Sequence, residues 1–330
     1  MVSSHLLGYE IDTQVATESF LGLLYGAHER NLRAVTTHER WDVLVVDLDG
    51  TLLCGKGEVS EANKRSIDAV RDAGIEIVVA TGRCFAECEH ILEQVEHDGV
   101  VIVAGGSQLC NASGGAIQSE TLDVRIVKEV AKQILSSNHR LLLLKDASQC
   151  DTQYVLVGDA PLHHASTWWF DSLGITLHEV NTLDEDPWPN HTLRAGAVAE
   201  EQQLKKSGSI LAKKLQSIAK LQHWSAVTSS EATKSKTHLL EVFGLTVNKW
   251  TMLQKYLGKN FIPQRIVAIG DGLNDVEVLQ EAGFSIAMSN ADAFVQSHAD
   301  VISGHHNEHG FAQAMYRWVL EKDDQLEQLN

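Results

Sequence analysis

Long apolar runs are missing from this 330-residue chain. None approaches the ~18 residues that cross a bilayer, so no membrane partner is expected. Met1 to Tyr9 lacks the basic region and apolar stretch of a secretory leader. Positive charge is scarce: 27 lysines and arginines stand against 44 aspartates and glutamates, a formal net charge of −17. That argues against nucleic acid and anionic membrane as general partners, since both need clustered positive charge. A local cation pocket can still hold a small anion. Cysteine is sparse and odd in number, at Cys54, Cys84, Cys88, Cys110 and Cys150. Without paired spacing these read as free thiols in a reducing compartment, and a cytoplasmic location is expected. Cys84-x-x-x-Cys88 has no second pair to complete a zinc site. There is no internal repeat and no low-complexity tract.

What is present is a folded chain, 44% apolar and long enough for two domains. Residues 1–40 read as an N-terminal extension, with a helix around 14–33 and an apolar patch at Phe20 to Tyr25. From Trp41 strands and helices alternate. A strand at 42–47 runs Val43-Leu44-Val45-Val46 into Asp47-Leu48-Asp49-Gly50-Thr51. Ser60 starts a helix that Gly74 stops. The next strand, 75–80, ends in Thr81-Gly82-Arg83. A helix from about 85 to 97 leads to a strand at 100–103, ending in Ala104-Gly105-Gly106. This rhythm predicts parallel pairing with right-handed crossovers.

Residues 121–237 change register. Helices are expected at 123–136, 166–173 and about 200–221. Strands are expected at 141–144, 154–157, 177–180, 193–198 and 224–227, and another near 238–242 follows. This reads as an inserted α+β cap on an antiparallel sheet. The discontinuous core is then 41–120 and 238–330. It resumes with a helix from Lys249 to Leu257, a strand at 265–269 ending in Gly270 to Asp275, a helix at 276–282, a strand at 284–288 and a terminal helix from about 310 to 322. The predicted fold class is α/β: a Rossmann-like parallel sheet with helices on both faces, plus the cap.

In such a sheet, ligands bind beyond the carboxyl ends of the strands. Asp47, Asp49, Thr81, Arg83, Asp271, Asn274 and Asp275 all fall there, and Lys249 starts the preceding helix. Carboxylates gathered without a cation repel one another. Magnesium, which takes hard oxygen ligands, resolves this together with a phosphate. Lys249, Thr81 and amides near Gly50 would hold the phosphate's remaining oxygens. Of the pair Asp47-x-Asp49, one carboxylate can attack phosphorus and the other can move protons at the leaving oxygen.

Asp47-Leu-Asp-Gly-Thr-Leu-Leu53, Thr81-Gly-Arg83, Asn248-Lys249 and Gly270-Asp-Gly-Leu-Asn-Asp275 together resemble the four motifs of haloacid dehalogenase-like phosphatases. Gly270 to Asp275, followed by Ala287-Met288-Ser-Asn290-Ala291, is closest to the Cof-type, subclass IIB, sugar-phosphate phosphatases. The resemblance covers residues 42 to about 320. It implies Asp47 as nucleophile and metal ligand, and Asp49 as general acid/base with its backbone carbonyl on magnesium. It implies Asp271 as a metal ligand, and Asp275 as another, direct or through water. Thr81, Gly82 and Asn274 would bind the phosphoryl group, with Lys249 stabilising its charge. Arg83 would contact substrate or pair with an acid. The family usually has Asn where this chain has Ala104.

Other residues read more plainly. His305-His306-x-x-His309 and His163-His164 are expected in surface loops, without metal. Trp168-Trp169 is expected to pack in the cap, with a substrate platform as the alternative. Cys54 and Cys84 are expected to be spectators. The resulting expectation is a Mg²⁺-dependent phosphatase acting on a small phosphorylated metabolite, a sugar phosphate first, through an aspartyl-phosphate. The alternatives are a phosphomutase, a flavin or pyridoxal phosphate phosphatase, or a non-catalytic binder of a phosphorylated ligand. Asp49 argues against a long-lived acyl phosphate.

Overall fold

The computed structural model describes residues 40–226 and 236–329. The expected helix at 14–33 lies outside them. Among the described residues no helix is long and apolar enough to cross a membrane.

The chain first lays down β1 (Val43–Val46), β2 (Glu76–Ala80), β3 (Val101–Val103), β4 (Gln108–Cys110) and β5 (Ala116–Ser119). It then builds β6 (Leu141–Lys145), β7 (Tyr154–Val157), β8 (Leu177–Val180), β9 (Thr192–Glu200), β10 (Ala219–Ser225) and β11 (Thr237–Gly244). It returns for β12 (Ile266–Gly270), β13 (Phe284–Ala287) and β14 (Val301–Ile302). The helices that matter here are α1 (Glu61–Asp72), α2 (Phe85–Gln94), α3 (Val124–Ser136), α4 (His164–Leu173), α5 (Glu201–Leu215), α6 (Lys249–Leu257) and α7 (Val276–Glu281).

The first sheet has the order β14-β13-β12-β1-β2-β3-β4-β5. It is parallel from β14 to β3, and β4 and β5 add an antiparallel edge. β1 sits centrally, with Val46 level with Ile269 and Val79. Its four apolar residues are buried on both faces, as an uninterrupted apolar run requires. Leu44 and Val46 pack with Ile67 of α1 and Ile91 of α2. Val43 and Val45 pack with Met252 and Leu253 of α6 and Leu279 of α7. Each such side chain contributes about 1.5–3 kcal/mol by leaving water. Helix ends follow the expected chemistry. Ser60 Oγ accepts from Asn63 N at 3.2 Å, and Gly74 takes φ +76° beyond α1. Asn248 Oδ1 accepts from Thr251 N at 2.8 Å and so fixes where α6, and Lys249, begin.

The second sheet has the order β10-β11-β9-β6-β7-β8. It is antiparallel except for β7 and β8, which α4 connects in parallel. One face is covered by α3 and α5 through Val130, Ile134, Leu204 and Leu211. On the other face Leu142, Leu144, Tyr154 and Leu156 pack with Phe170 of α4, and with Cys84 and Ala104 of the first unit. This face therefore lies over loops at the strand ends of the first sheet.

Several expected boundaries move. β11 pairs with both β9 and β10, so the cut at 237/238 would split the second sheet; the chain leaves that sheet only after Gly244. The helix expected over 200–221 ends at Leu215. Beyond it Ala219 and Leu221 alternate onto the helix-covered face of the sheet, opposite Gly244 and Val242, in place of the strand at 224–227. α2 ends at Gln94. The helix expected over 310–322 is regular only from Gly310 to Ala314; the chain then opens to a wider turn in which Leu320 N donates to Met315 O (2.9 Å).

Candidate active site

Four strand-end loops meet at the carboxyl end of the parallel sheet. β1 delivers Asp47, 5% exposed, and the chain turns at Gly50 with φ +77°. A Cβ at Gly50 would collide with the Asp271 carboxylate, so glycine is what lets the first and fourth loops touch. β2 delivers Thr81, Gly82 and Arg83. β12 delivers Asp271 to Asp275, and the start of α6 delivers Lys249.

Lys249 Nζ donates to Asp47 Oδ1 and to Asp275 Oδ1, both at 2.6 Å. Asp275 Oδ2 accepts from the backbone N–H groups of Asp271 (3.2 Å) and Gly272 (2.9 Å). Thr51 Oγ1 donates to Asp271 Oδ1 at 3.3 Å, and Asn290 Nδ2 donates to Asp271 Oδ2 at 2.9 Å. Asp47, Asp271 and Asp275 each offer an oxygen within 4.8 Å of the others. Burial and Asp275 push the Asp47 carboxyl up to about 7, against the pull of Lys249. Burial, then Asp47 and Asp275, raise Asp271 well above the usual carboxylate range. Burial alone would lower the Lys249 pKa, but Asp275 and Asp47 outweigh it and raise it. Three clustered carboxylates thus have one lysine among them, paired with two of the three. The excess negative charge and the hard oxygen donors suit a divalent cation.

Asp49 turns away from this cluster. Its carboxylate is held by both arms of Arg83, from Nε at 2.8 Å and Nη2 at 2.6 Å. Burial works to raise its pKa, but the guanidinium wins and holds it below the usual carboxylate value. Of the two roles open for Arg83, the geometry shows the acid partner. Arg83 also donates to Glu87 O (2.9 Å) and lies 4.7 Å from the Trp169 ring. Thr81 is fully buried, and its hydroxyl accepts from Arg83 N at 3.1 Å.

A cavity of about 420 Å³ opens above. Its floor includes Asp47, Asp49, Gly82, Arg83, Asp271 and Asn274; its roof comes from α4 and the second sheet. Roof and floor are joined by a buried network. Arg194 on β9 donates to Gly82 O (2.6 Å) and Tyr154 Oη (3.0 Å) and pairs with Glu241 Oε1 (3.0 Å). Tyr154 Oη and Trp169 Nε1 both donate to Glu87 Oε1, at 3.0 and 2.8 Å.

The structure brings together Asp47, Lys249, Asp271 and Asp275. It sets Asp49 with Arg83 beside them, and Gly82 and Asn274 on the cavity wall. Reading the sequence quoted Asn290 in a motif without giving it a role, and missed Glu87, Tyr154, Arg194 and Glu241. Asn290 carried a signal: it is a polar residue just past the end of β13. The packing expected for Trp168-Trp169 holds for Trp169, which packs against the Tyr154 and Phe170 cluster and also lines the cavity, and not for Trp168. α4 turns Ala165, Ser166 and Phe170 inward, leaving Trp168 36% exposed and Trp169 on the cavity. His306 is not on a surface loop either. It is buried, its Nδ1 2.8 Å from Leu53 O, and its N–H donates to Asn290 Oδ1 at 3.1 Å. Ala104 adopts φ +52°, a region where Asn is favoured, which gives the family's usual Asn a conformational reason. Cys84 is buried and its thiol is raised well above the usual range by burial, so it stays protonated.

A doubly covered parallel sheet, acidic strand ends and an inserted, mostly antiparallel sheet above them define a Rossmann-like α/β core with a covered site at its strand ends. A family model for haloacid dehalogenase-like hydrolases matches residues 44–315. The chain belongs to that family. It is 24% identical over 279 residues to a 5-amino-6-(5-phospho-D-ribitylamino)uracil phosphatase of Bacillus subtilis, covering 84% of this chain and 96% of that protein. It is 26% identical over 296 residues to the chloroplastic endoribonuclease YBEY of Arabidopsis thaliana, covering 85% of this chain but only 47% of that protein. A haloacid dehalogenase-like hydrolase from Bacteroides thetaiotaomicron shares the fold with a TM-score of 0.67 at 24% identity, covering 84% of this chain and 99% of that one.

Proposed function

We propose that this chain is a magnesium-dependent phosphatase that hydrolyses a small phosphorylated metabolite through an aspartyl-phosphate. The observation that carries the reading is the convergence of Asp47, Asp271 and Asp275 within 4.8 Å, at the floor of a cavity and around Lys249. Magnesium held by Asp47, the Asp49 backbone carbonyl and Asp271, with Asp275 direct or through water, would neutralise phosphoryl charge. Lys249 favours ionised Asp47 and fixes its Oδ1. Asp47 attacks phosphorus, the ester P–O bond breaks, and Asp49 protonates the departing oxygen. Asp49 then takes a proton from water, the water oxygen attacks phosphorus, and phosphate leaves Asp47 free. The Arg83 fork holds Asp49 as the anion, the form that accepts water's proton; to protonate the leaving group it must first turn out of that fork and take up a proton from solvent. Thr81, Gly82 and Asn274 are assigned to the phosphoryl oxygens. The inserted unit acts as a cap that excludes bulk water. Five free cysteines support a cytoplasmic setting.

The test is release of inorganic phosphate from p-nitrophenyl phosphate and a panel of phosphorylated metabolites, with and without magnesium. Magnesium-dependent release that Asp47→Asn abolishes is expected. A flat result across the panel would favour a non-catalytic binder, and an isomerised product without phosphate release would favour a mutase.

A further inference from the structure

The roof of the cavity has a chemistry of its own. The pairing of β10, β11 and β9 sets Trp224 opposite Leu239 and Leu239 opposite Val198. Glu241 stands opposite Gly196, two residues along from Arg194. Alternation along the strands puts all these side chains on the face turned from α3 and α5, where the helix-side core takes Leu240, Val242, Ala195 and Ala197 instead. Trp224, Leu239, Val198, Arg194 and Glu241 all line the cavity, and Trp169 and Phe170 extend its apolar wall.

Among the described residues of the roof, Glu241 is the one carboxylate that lines the cavity. It is 5% exposed, and Oε1 is committed to Arg194. Oε2 is buried and has no hydrogen-bond partner among the described residues. A buried acceptor left unpaired costs roughly 1–3 kcal/mol. Balancing Arg194 explains Oε1 and leaves Oε2 unexplained. The cavity, at about 420 Å³, falls in the size range of small-molecule sites, roughly 300–1,000 Å³. Ser166, His223 and His238 also line the cavity, and Ser166 Oγ, His223 Nε2 and His238 Nδ1 have no hydrogen-bond partner among the described residues, but most of the wall is apolar, which suits a flat ring better than a set of hydroxyls.

We propose that this roof is the leaving-group subsite, and that it selects a phosphate ester whose organic part is a flat ring carrying an N–H or O–H donor. The ring lies against Trp224, Leu239 and Val198, and its donor meets Glu241 Oε2. The proposal rests on the phosphatase reading and narrows its substrate class from sugar phosphates to ring-bearing phosphates.

Kinetics on the full-length protein separate the two ideas. Acetyl phosphate, which has no leaving group to fill the roof, reports the floor alone. Pyridoxamine 5′-phosphate and flavin mononucleotide supply flat rings with donors; glucose 6-phosphate supplies hydroxyls on a puckered, non-aromatic ring. We expect kcat/KM for at least one ring ester to exceed that for glucose 6-phosphate about tenfold or more. Trp224→Leu and Glu241→Gln should each cut the ring-to-acetyl-phosphate ratio by about tenfold, and Trp224→Leu keeps the test open if Glu241→Gln folds poorly. Calorimetric binding of the same ligands to Asp47→Asn should follow the same ranking. No turnover of acetyl phosphate with magnesium would overturn the phosphatase reading. Turnover of acetyl phosphate with equal or better use of glucose 6-phosphate, or ratios unmoved by both variants, would overturn the roof assignment alone.

Discussion

On the floor of the site three carboxylates, Asp47, Asp271 and Asp275, cluster with one lysine, Lys249, which pairs with Asp47 and Asp275. At the seam between the two sheets Arg194 pairs with Glu241 and is linked to Glu87 through Tyr154 Oη. The two clusters are closed differently. Glu87 is satisfied by neutral donors: Tyr154 Oη, Trp169 Nε1 and the backbone N–H of Cys84 at 2.8 Å. The floor has fewer donors than its charge demands, and its pKa values move accordingly. An electrostatic deficit marks a place for a ligand, whereas a completed hydrogen-bond network marks a joint. By that criterion the floor is the place for a ligand and the seam holds the roof in place, with Glu241 Oε2 and Ser166 Oγ among its open positions.

The largest expected effect is at the floor. Asp47→Asn should lower kcat by about 10⁴-fold or more, as removal of a nucleophile does. Its melting temperature should hold, because a repelled buried charge has been removed. Residual turnover of a few per cent would place the nucleophile elsewhere.

Lys249→Met and Arg194→Met set the two clusters side by side. Each removes a buried cation and strands the carboxylate or carboxylates paired with it, at a cost of roughly 3–5 kcal/mol. Magnesium should raise the melting temperature of Lys249→Met by more than that of Arg194→Met, because only the floor can exchange a lysine for a divalent ion. Equal responses in thermal melts with magnesium and with chelator would erase the distinction between site and joint.

The same distinction explains what could be read from the chain. Floor residues sit at the ends of apolar strands, where a carboxylate has no packing reason to be. Asp47, Asp49 and Asp271 are therefore conspicuous in sequence, and strand alternation carries them to one edge of the sheet. Seam residues give no local sign. Arg194 lies in the middle of a nine-residue strand and Glu241 in another, and their meeting depends on the register of β9 with β11. The same non-local pairing claimed Thr237–Gly244 for the second sheet, which the sequence could not apportion. Trp169 was visible as an aromatic, but its direction depends on which face of α4 meets the sheet, and Phe170 occupies that face.

A milder change tests the joint alone. Tyr154→Phe deletes the hydroxyl between Arg194 and Glu87 without opening a cavity. It should cost about 1–3 kcal/mol in chemical denaturation, since it leaves buried polar groups a partner short. A loss of well under 1 kcal/mol would mean that water replaces the hydroxyl and the seam is looser than its geometry indicates.

Glu241 gives the smallest effect and the clearest sign. Burial raises its carboxyl above the ordinary value of 4.5; Arg194 opposes this and Glu87 adds to it. The folded protein therefore keeps this proton to higher pH than the unfolded chain does. A raised folded-state pKa contributes stability that is complete below the unfolded value and is lost as pH rises through the folded one. Going upward from pH 4.5, this group should make the protein progressively less stable. Glu241→Gln cannot lose a proton, so the difference in unfolding free energy between variant and wild type should shift in the variant's favour over that window and then level off. A constant difference across the window would mean that Arg194 fully compensates the charge. In that case Glu241 belongs to the joint, and its open oxygen has no claim on a substrate.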